Sequence, residues 1–426
     1  MKNFKKITAL LICTLMCATV SCQTTEKPNE FPTESVSETE AEEVAINVAT
    51  LFEIKEKPEK IAEKLGFGVD INLYKGEKSF ESLILDILSG NQPDVVWVAH
   101  EDMLNLISNN YMADMCPLME HSESLKKEDF LPNVISGLEK NGEIPALCPR
   151  FSIHTAVAKT ANVGENAENW TVKEALDKFR SMPEDVNFLA FEHRAYDRVN
   201  YFLKRVSLDS VDYENSKCNF GGAFFETLGN VMNFPEFSDK NTPETDDLLN
   251  DRAIVEEVHI DGLVNGLNQY LYAYFGGEDI TFVGYPSESG KGYRTEIQSM
   301  LGILGTSTHK SEAYEFIAMM INDDSEPFGI PVTEKLFNQQ LNRSKYEGMS
   351  INAPVTLFDK EFTISEKCLN QTVEYIRGVE FEPYTSKEVD NIIREEYHKA
   401  FSGESTAQEC TDMLNNRVNI YLNEHK

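Results

Sequence analysis

The chain has 426 residues, with 39 Lys or Arg against 71 Asp or Glu, so its formal net charge is -32. A surface this acidic repels phosphate backbones and anionic lipid headgroups, which argues against nucleic acid and against electrostatic binding to membranes. The hydrophobic fraction of 41% can supply a real core, and at this length we expect two or three lobes.

The first segment has the pattern of a secretory leader. Three lysines in the first six residues precede an apolar run, residues 7–20, that is too short to span a bilayer comfortably. The run ends in TVSC, which resembles a bacterial lipobox with Thr19 where an aliphatic residue is usual. We predict a lipoprotein signal peptide over residues 1–21 and lipidation of Cys22. An ordinary secretory signal is the alternative.

The next segment, residues 22–44, is rich in Glu, Thr, Ser and Pro and has few large apolar side chains. Such a segment cannot offset its ordering entropy by burial, so we predict a disordered acidic tether. The tether would hold a folded body at the extracellular face of a bacterial cell membrane, with the lipid anchor as its only membrane contact.

The cysteines do not predict a metal site or a disulfide framework. After residue 21 they are widely spaced, at Cys22, Cys116, Cys148, Cys218, Cys368 and Cys410. The chain contains no CxxC or CxxH spacing and no Asp-x-Asp-x-Asp-Gly loop, so neither a structural zinc nor a calcium site is expected. We expect mostly buried thiols, with one pair left possible, and no cofactor.

The body of the chain begins with alternating strands and helices. The predicted elements are a strand at 45–51, a helix at 58–65, a strand at 68–74, a helix at 80–88 and a strand at 94–99. The last strand, DVVWVA, is a continuous apolar run typical of a buried parallel strand, and the helix before it ends at Ser89-Gly90. This order predicts an α/β open sheet.

Ligands of such sheets bind beyond the carboxyl ends of the strands. In this chain those positions hold Phe52 and Glu53 after the first strand, and His100, Glu101 and Asp102 after the third.

The segment Ser89–Leu118, SGNQPDVVWVAHEDMLNLISNNYMADMCPL, resembles the extracellular solute-binding proteins of ABC importers, family 1, the maltose-binding-like carbohydrate group. Family members typically show Gly-x-x-Pro-Asp, a hydrophobic run, a polar loop, a helix and Gly-hydrophobic-Ala-Asp-Leu. The chain keeps Gly90, Pro93, Asp94, Ala113 and Asp114. It departs from the pattern with Asn110 for Gly and Met115 for Leu.

The resemblance recurs in order along the chain, at 144–164, 170–174, 211–220, 279–290, 301–321, 329–332 and 389–424. It implies a two-lobe Venus-flytrap fold of the type II periplasmic-binding-protein class, with the ligand in the cleft between lobes. The predicted N-lobe is 45–147 plus 284–331, and the predicted C-lobe is 148–283 plus 332–426.

The family loop after the third strand reaches the cleft, so the resemblance makes His100, Glu101 and Asp102 candidate ligand residues. An alternative for Glu101 and Asp102 is that they cap the helix that follows. The resemblance also makes the stretch around residues 144–164 the first crossing between lobes and the stretch at 279–290 the second.

Residues on the crossing strand alternate between two faces, so either Arg150, Ser152 and His154 or the pair Phe151 and Ile153 face the cleft. The apolar pair is expected to pack inward, which makes Arg150 and Ser152 candidates.

Two tyrosines complete the set of candidates. Tyr285 lies at the second crossing, where it could stack on a ligand or pack at the hinge. Tyr196, close to Arg194, is a candidate from the C-lobe.

The resemblance implies a monomeric, lipid-anchored solute receptor that binds a small carbohydrate and docks on ABC permease subunits. Sugars need aromatic rings for their apolar faces and carboxylates, amides or guanidinium groups for their hydroxyls. The alternatives are surface glycan capture without transport, a receptor for a peptide or another non-sugar solute, and a secreted hydrolase. The chain has no Gly-x-Ser-x-Gly, His-Glu-x-x-His or Gly-rich phosphate loop, so we expect no enzyme.

Overall fold

The structure is a computed structural model that describes residues 44–164, 167–190, 195–234, 246–263, 275–325, 328–346, 354–357, 360–363 and 366–425. The predicted leader and tether, Cys22 and Arg194 lie outside these residues, except that residue 44 is included. A search of the described helices finds none with the length and apolar character needed to cross a membrane.

The strands are β1 (Ala45–Thr50), β2 (Gly68–Leu73), β3 (Val95–Ala99), β4 (Arg150–Lys159), β5 (Asn187–Leu189), β6 (Val211–Asp212), β7 (Lys217–Cys218), β8 (Ala253–Ile260), β9 (Ile280–Thr281), β10 (Arg294–Glu296), β11 (Ser299–Ile303), β12 (Ile330–Pro331), β13 (Pro354–Leu357) and β14 (Lys360–Thr363).

The helices are α1 (Pro58–Leu65), α2 (Ser79–Ser89), α3 (His100–Ser108), α4 (Cys116–His121), α5 (Pro132–Leu138), α6 (Thr160–Val163), α7 (Val172–Arg180), α8 (Ala195–Asp209), α9 (Ala223–Val231), α10 (Lys310–Ile321), α11 (Glu334–Tyr346), α12 (Glu366–Gly378), α13 (Lys387–Phe401) and α14 (Ala407–Glu424). A short 3₁₀ helix covers Lys127–Asp129.

The first sheet has the strand order β11-β3-β1-β2. Strands β2 and β3 are both parallel to β1, and β11 is antiparallel to β3. This arrangement confirms the predicted βαβαβ opening. Helix α2 ends where the sequence predicted, because Gly90 adopts a left-handed conformation with φ of 93° that a side chain would disfavour.

The second sheet has the order β10-β4-β8-β5, and β9 and β12 also pair with β4. Its longest strand, β4, is antiparallel to β8 and to β10. Phe151 and Ile153 are 2% and 0% exposed, whereas Arg150, Ser152 and His154 are partly exposed. The prediction that the apolar pair packs inward is therefore confirmed.

Two clusters of buried apolar residues form the cores. The first contains the first sheet and its helices, apolar residues of β4 and β8 from the second sheet, and Ile376, Val379 and Phe381 at and after the end of α12. The second contains α7, α8 and α9 together with α13 and α14. The predicted boundaries of the two lobes along the chain stay predictions.

Local signals elsewhere in the chain also correspond to observed structure. Thr171 caps α7 in a capping box with Glu174, and both residues lie in the stretch 170–174 where the sequence resembles the family. Four cysteines are free thiols: Cys148 and Cys410 are buried, and Cys116 and Cys218 are half-buried. Nothing is described for the side chain of Cys368.

Candidate ligand-binding cleft

A cleft of about 1650 Å³ runs along α3. One wall consists of α3, α5 and the turn at residues 139–145. The other consists of the β6–β7 hairpin, residues 378–388 and the carboxyl end of α14. Helices α3 and α5 and the residues Val379 and Phe381 pack on the first core, and α14 packs on the second, so both cores contribute to the lining of the cleft.

Helix α3 presents a polar face to this cleft. Asp102 and Asn105 lie three residues apart, and Ser108 follows three residues later, a spacing that keeps all three near one side of the helix. Met103 and Leu106 are fully buried in the first core and fix the orientation of the helix. The cleft wall is therefore a stripe of hydrogen-bonding groups on a rigid element.

Asp102 has no salt bridge or side-chain hydrogen bond among the described residues. Burial, with the nearby carboxylates of Glu101 and Glu81, raises the pKa of Asp102 to about 6. Its carboxylate thus lines the cleft without a cation to compensate it.

Glu101 also lines the cleft, but its carboxylate is bound by the protein itself. Oε1 accepts a hydrogen bond from the backbone N–H of Lys387, and Oε2 accepts one from Ser386 Oγ at 3.4 Å. Ser386 is the N-cap of α13. Helix N-termini stabilise carboxylates, so Glu101 adds a charge to the capping of α13 from across the cleft. Glu101 therefore does act at the amino end of a helix, as the alternative interpretation proposed, but that helix is α13 and not α3.

His100, the first residue of α3, joins the two walls at the same end of the cleft. Its Nε2 lies 2.5 Å from the carbonyl oxygen of Pro383 and donates a hydrogen bond to that oxygen in the tautomer that carries the proton on Nε2. Burial is the main cause that lowers the pKa of His100, which favours the neutral ring.

The segment 378–388 is anchored from both sides. Arg205 on α8 donates from Nη1 and Nη2 to Glu382 at 2.6 and 3.0 Å. Asn133 on α5 donates to the carbonyl oxygens of Ile376 and Val379 at 2.9 and 3.0 Å. This part of the cleft lining, most of which connects α12 to α13, is therefore held in place.

Aromatic side chains lie in both the segment 378–388 and the surfaces beside it. Tyr384 donates its hydroxyl to Leu138 O at 2.6 Å, and Lys140 lies 5.1 Å from its ring centre. Tyr421 stacks on His425 at 4.1 Å. Tyr213 comes from the β6–β7 hairpin. These rings and the α3 stripe give the cleft both apolar faces and polar acceptors.

The crossing-strand candidates Arg150 and Ser152 do not line this cleft. Arg150 donates from Nη2 to Asp323 O at 3.0 Å. Ser152 is paired in register with Glu296 on β10. Beside it, His154 Nε2 lies 2.7 Å from Glu296 Oε2, a contact that lowers the pKa of Glu296 to about 2.

The two candidate tyrosines also lie away from the cleft. Tyr285 is 1% exposed in the second core, and Lys204 donates to its hydroxyl at 3.1 Å. Its position agrees with the packing alternative for this residue. Tyr196 lies on α8, and nothing is described for its side chain. The structure brings Glu101 and Asp102 together in the cleft. The ligand-binding role of every predicted residue stays a prediction.

Sequence reasoning did not find the wall formed by residues 378–388 or the hairpin tyrosine. Composition gives little sign of them, because the apolar and acidic residues there resemble those of any connecting segment. Pro383 does indicate a break before α13, and that is the one local signal this segment carries.

No family model matches the chain, and no curated protein matches it. Many solved structures share the fold, and three of them illustrate the likeness. An oligogalacturonide-binding protein from Yersinia enterocolitica is 13% identical, with a TM-score of 0.59 over 90% of this chain and 100% of that one. The sugar-binding protein MalE from Xanthomonas citri is 14% identical, with a TM-score of 0.54 over 89% and 98%.

The third is an extracellular solute-binding protein family 1 member from Alicyclobacillus acidocaldarius, at 12% identity and a TM-score of 0.54 over 89% and 98%. At these identities the likeness establishes the fold alone. The chain has the two-lobe, type II fold of MalE-like solute-binding proteins, and the resemblance found in its sequence is confirmed at that level.

Proposed function

We propose that the protein is an extracellular solute receptor that binds a sugar or oligosaccharide. The observation that carries this proposal is the lining of the cleft, where the polar face of α3 and the aromatic residues Tyr213, Tyr384 and Tyr421 border the same space. Saccharides present apolar C–H faces and many hydroxyl donors, and these two kinds of surface match them. The shared fold with proteins named for binding sugars supports the same proposal.

The finer features of this proposal come from the sequence. Cys22 would carry the lipid, residues 22–44 would form the tether, and closure around the ligand would create the surface that ABC permease subunits recognise. The receptor would work as a monomer at the extracellular face of the cell membrane. A fold by itself hosts many functions, so these features rest on the leader pattern and the family resemblance.

A binding role is preferred over hydrolysis. The carboxylate of Glu101, which lines the cleft, already accepts hydrogen bonds from Ser386 and Lys387. Because these donors already bind the carboxylate, Glu101 serves as a hydrogen-bond acceptor and a structural contact. It is not placed to donate a proton to a leaving group.

The test is a thermal-shift screen of the mature protein against sugars, oligosaccharides and peptides. A ligand that binds only the native state raises the melting temperature, by an amount that grows with its concentration. We expect at least one saccharide to do so and to be recovered unaltered. Shifts with peptides alone would replace the sugar by a peptide, and release of reducing ends would show a hydrolase.

Transport needs a separate test in cells. Deletion of the gene should abolish uptake of the saccharide identified in the screen, and a Cys22→Ser variant should be released from the membrane fraction. Normal uptake in the deletion strain would favour glycan capture without transport.

A further inference from the structure

The charges that line the cleft are strongly biased. Among its described lining residues, nine are Asp or Glu and three are Lys, with no Arg. Clefts lined by one sign of charge focus the field of the whole protein, which here has a net charge of -32. Glu139, Glu380 and Glu382 form salt bridges with Lys127, Lys291 and Arg205. The other six lining carboxylates have no salt bridge among the described residues, so a ligand entering this cleft meets a negative potential.

The lysines do not offset this potential. Lys291 Nζ lies 2.9 Å from Glu380 and 3.2 Å from Glu382, so its charge is already neutralised. Lys140 and Lys387 are exposed, and Lys140 lies over the ring of Tyr384. A ligand carboxylate or sulfate would therefore meet only two lining lysines without a salt bridge, Lys140 and Lys387, and both are exposed to solvent that screens their charge.

Two polar groups in the wall lack partners. Asp102 has no cation or hydrogen-bond donor beside its carboxylate, as described above. The hydroxyl of Tyr213 is buried close to the backbone of Ser386, but it makes no hydrogen bond of normal geometry among the described residues. Burial, followed by the charge of Asp390, raises the pKa of Tyr213, so the hydroxyl stays protonated. A buried polar group without a partner is costly, and a ligand that supplies one is favoured.

We propose that the cleft selects hydroxyl-rich saccharides that are neutral or carry amines and rejects saccharides that carry carboxylate or sulfate, with Asp102 as a determinant of that selectivity. This inference rests on the proposed sugar-binding function and adds the charge class of the ligand. Asp102 accepts hydrogen bonds from ligand hydroxyl or ammonium groups. An anionic sugar would oppose the same carboxylate at short range, and like-charge contacts of this kind suppress wrong partners.

The experiment uses the mature protein on an array of glycans that contains neutral, amine-bearing, uronic and sulfated members. Calorimetry then compares pairs of equal length that differ only in charge, such as chitin against chitosan oligomers and galactose against galacturonic acid oligomers. We expect every glycan bound to be neutral or amine-bearing. Asp102→Asn should lower the affinity for the bound saccharide about tenfold, since a charged acceptor is replaced by a neutral one.

Asp70→Asn is the matched control, because it removes the same charge from an exposed position on β2, away from the cleft lining. It should leave the affinity unchanged, and circular dichroism should show that both variants are folded. Tight binding of uronic or sulfated glycans, or equal effects of the two variants, would overturn the charge selectivity and leave sugar binding intact. Binding of no glycan of any charge would overturn the proposed function and this inference with it.

Discussion

At the scale of single residues, the environment of a carboxyl group decides what it does. Asp102, Glu256 and Glu296 are the same kind of side chain to a sequence reader. The structure places His154 beside Glu296, leaves Asp102 beside other carboxylates, and buries Glu256 on β8. Their pKa values therefore move in different directions, which no local pattern of residues predicts.

Glu256 provides a test of this burial. One of its carboxyl oxygens is buried without a hydrogen-bond partner, and burial, followed by the charge of Glu257, raises its pKa to about 8. In the unfolded chain the group ionises near its usual 4.5. Between pH 4.5 and pH 8 the unfolded state therefore binds fewer protons than the folded state, and this group makes stability fall as pH rises.

We expect Glu256→Gln to raise the melting temperature relative to the wild type, by a margin that grows from pH 5 to pH 8.5. Thermal melts at three pH values measure the margin. The neighbouring variant Glu257→Gln is the control and should destabilise the protein at pH 7, because Glu257 accepts a hydrogen bond from Lys204 at 2.7 Å. A margin for Glu256→Gln that does not change with pH would contradict the burial argument.

At the scale of secondary-structure elements, the amino end of α13 has two sources of capping. Ser386 accepts hydrogen bonds from Glu388 N and Val389 N at 3.2 and 3.3 Å, which is ordinary capping by a local side chain. Glu101 comes from α3, hundreds of residues earlier in the chain. The first contact follows from sequence spacing, whereas the second depends on how α3 and α13 pack.

The contact between Glu101 and α13 changes the expectation for Glu101→Ala. Loss of a ligand contact should weaken binding, and loss of a carboxylate at a helix N-terminus should also cost about 0.5–1 kcal/mol of unfolding free energy. Calorimetry and chemical denaturation measure the two effects. Ser386→Ala is the comparison: it should cost about 1 kcal/mol and reduce ligand affinity less. Unchanged ligand binding in Glu101→Ala would remove Glu101 from the site.

The element that forms the second wall depends on a buried ion pair. Arg205 is 4% exposed and binds Glu382, Asp209 and the carbonyl oxygen of Tyr293. Removing one member of such a group leaves an uncompensated buried charge. The resulting loss of unfolding free energy is far larger than the net stabilisation that the pair provides.

We expect Arg205→Ala to lower the unfolding free energy by about 3–5 kcal/mol and to loosen residues 378–388. Denaturation curves and protease sensitivity of that segment measure both effects. The control is Lys173→Ala, which breaks the exposed pair between Lys173 and Asp177 on α7 and should leave the unfolding free energy nearly unchanged. Comparable losses in the two variants would show that the Arg205 cluster does not anchor the wall.

At the scale of the whole molecule, the cleft is formed where elements of the two cores meet. His100 and Glu101 reach Pro383, Ser386 and Lys387 across 283 to 286 positions of sequence. The acidic composition, which at first only excluded nucleic acid and anionic membranes, becomes a property of the cleft itself. It supplies the reason to expect neutral or amine-bearing saccharides.

The sequence by itself determined the order of strands and helices at the start of the body, the open α/β sheet, the inward packing of Phe151 and Ile153, and the type II fold that the family resemblance implied. Hydrophobic periodicity, caps and glycines act over a few residues, so a single chain displays them directly. It also placed Glu101 and Asp102 at the strand end that lines the cleft.

Only the tertiary structure decided what faces those two residues. Tyr285 had two open roles until its burial in the second core was known, and the wall at residues 378–388 had no signal beyond a proline. Contacts between residues nearly 300 positions apart depend on how two cores pack, and the pKa of a carboxyl group depends on the burial and charges that result. Neither quantity is a function of neighbouring sequence, which is why the fold could be predicted and most of the cleft could not.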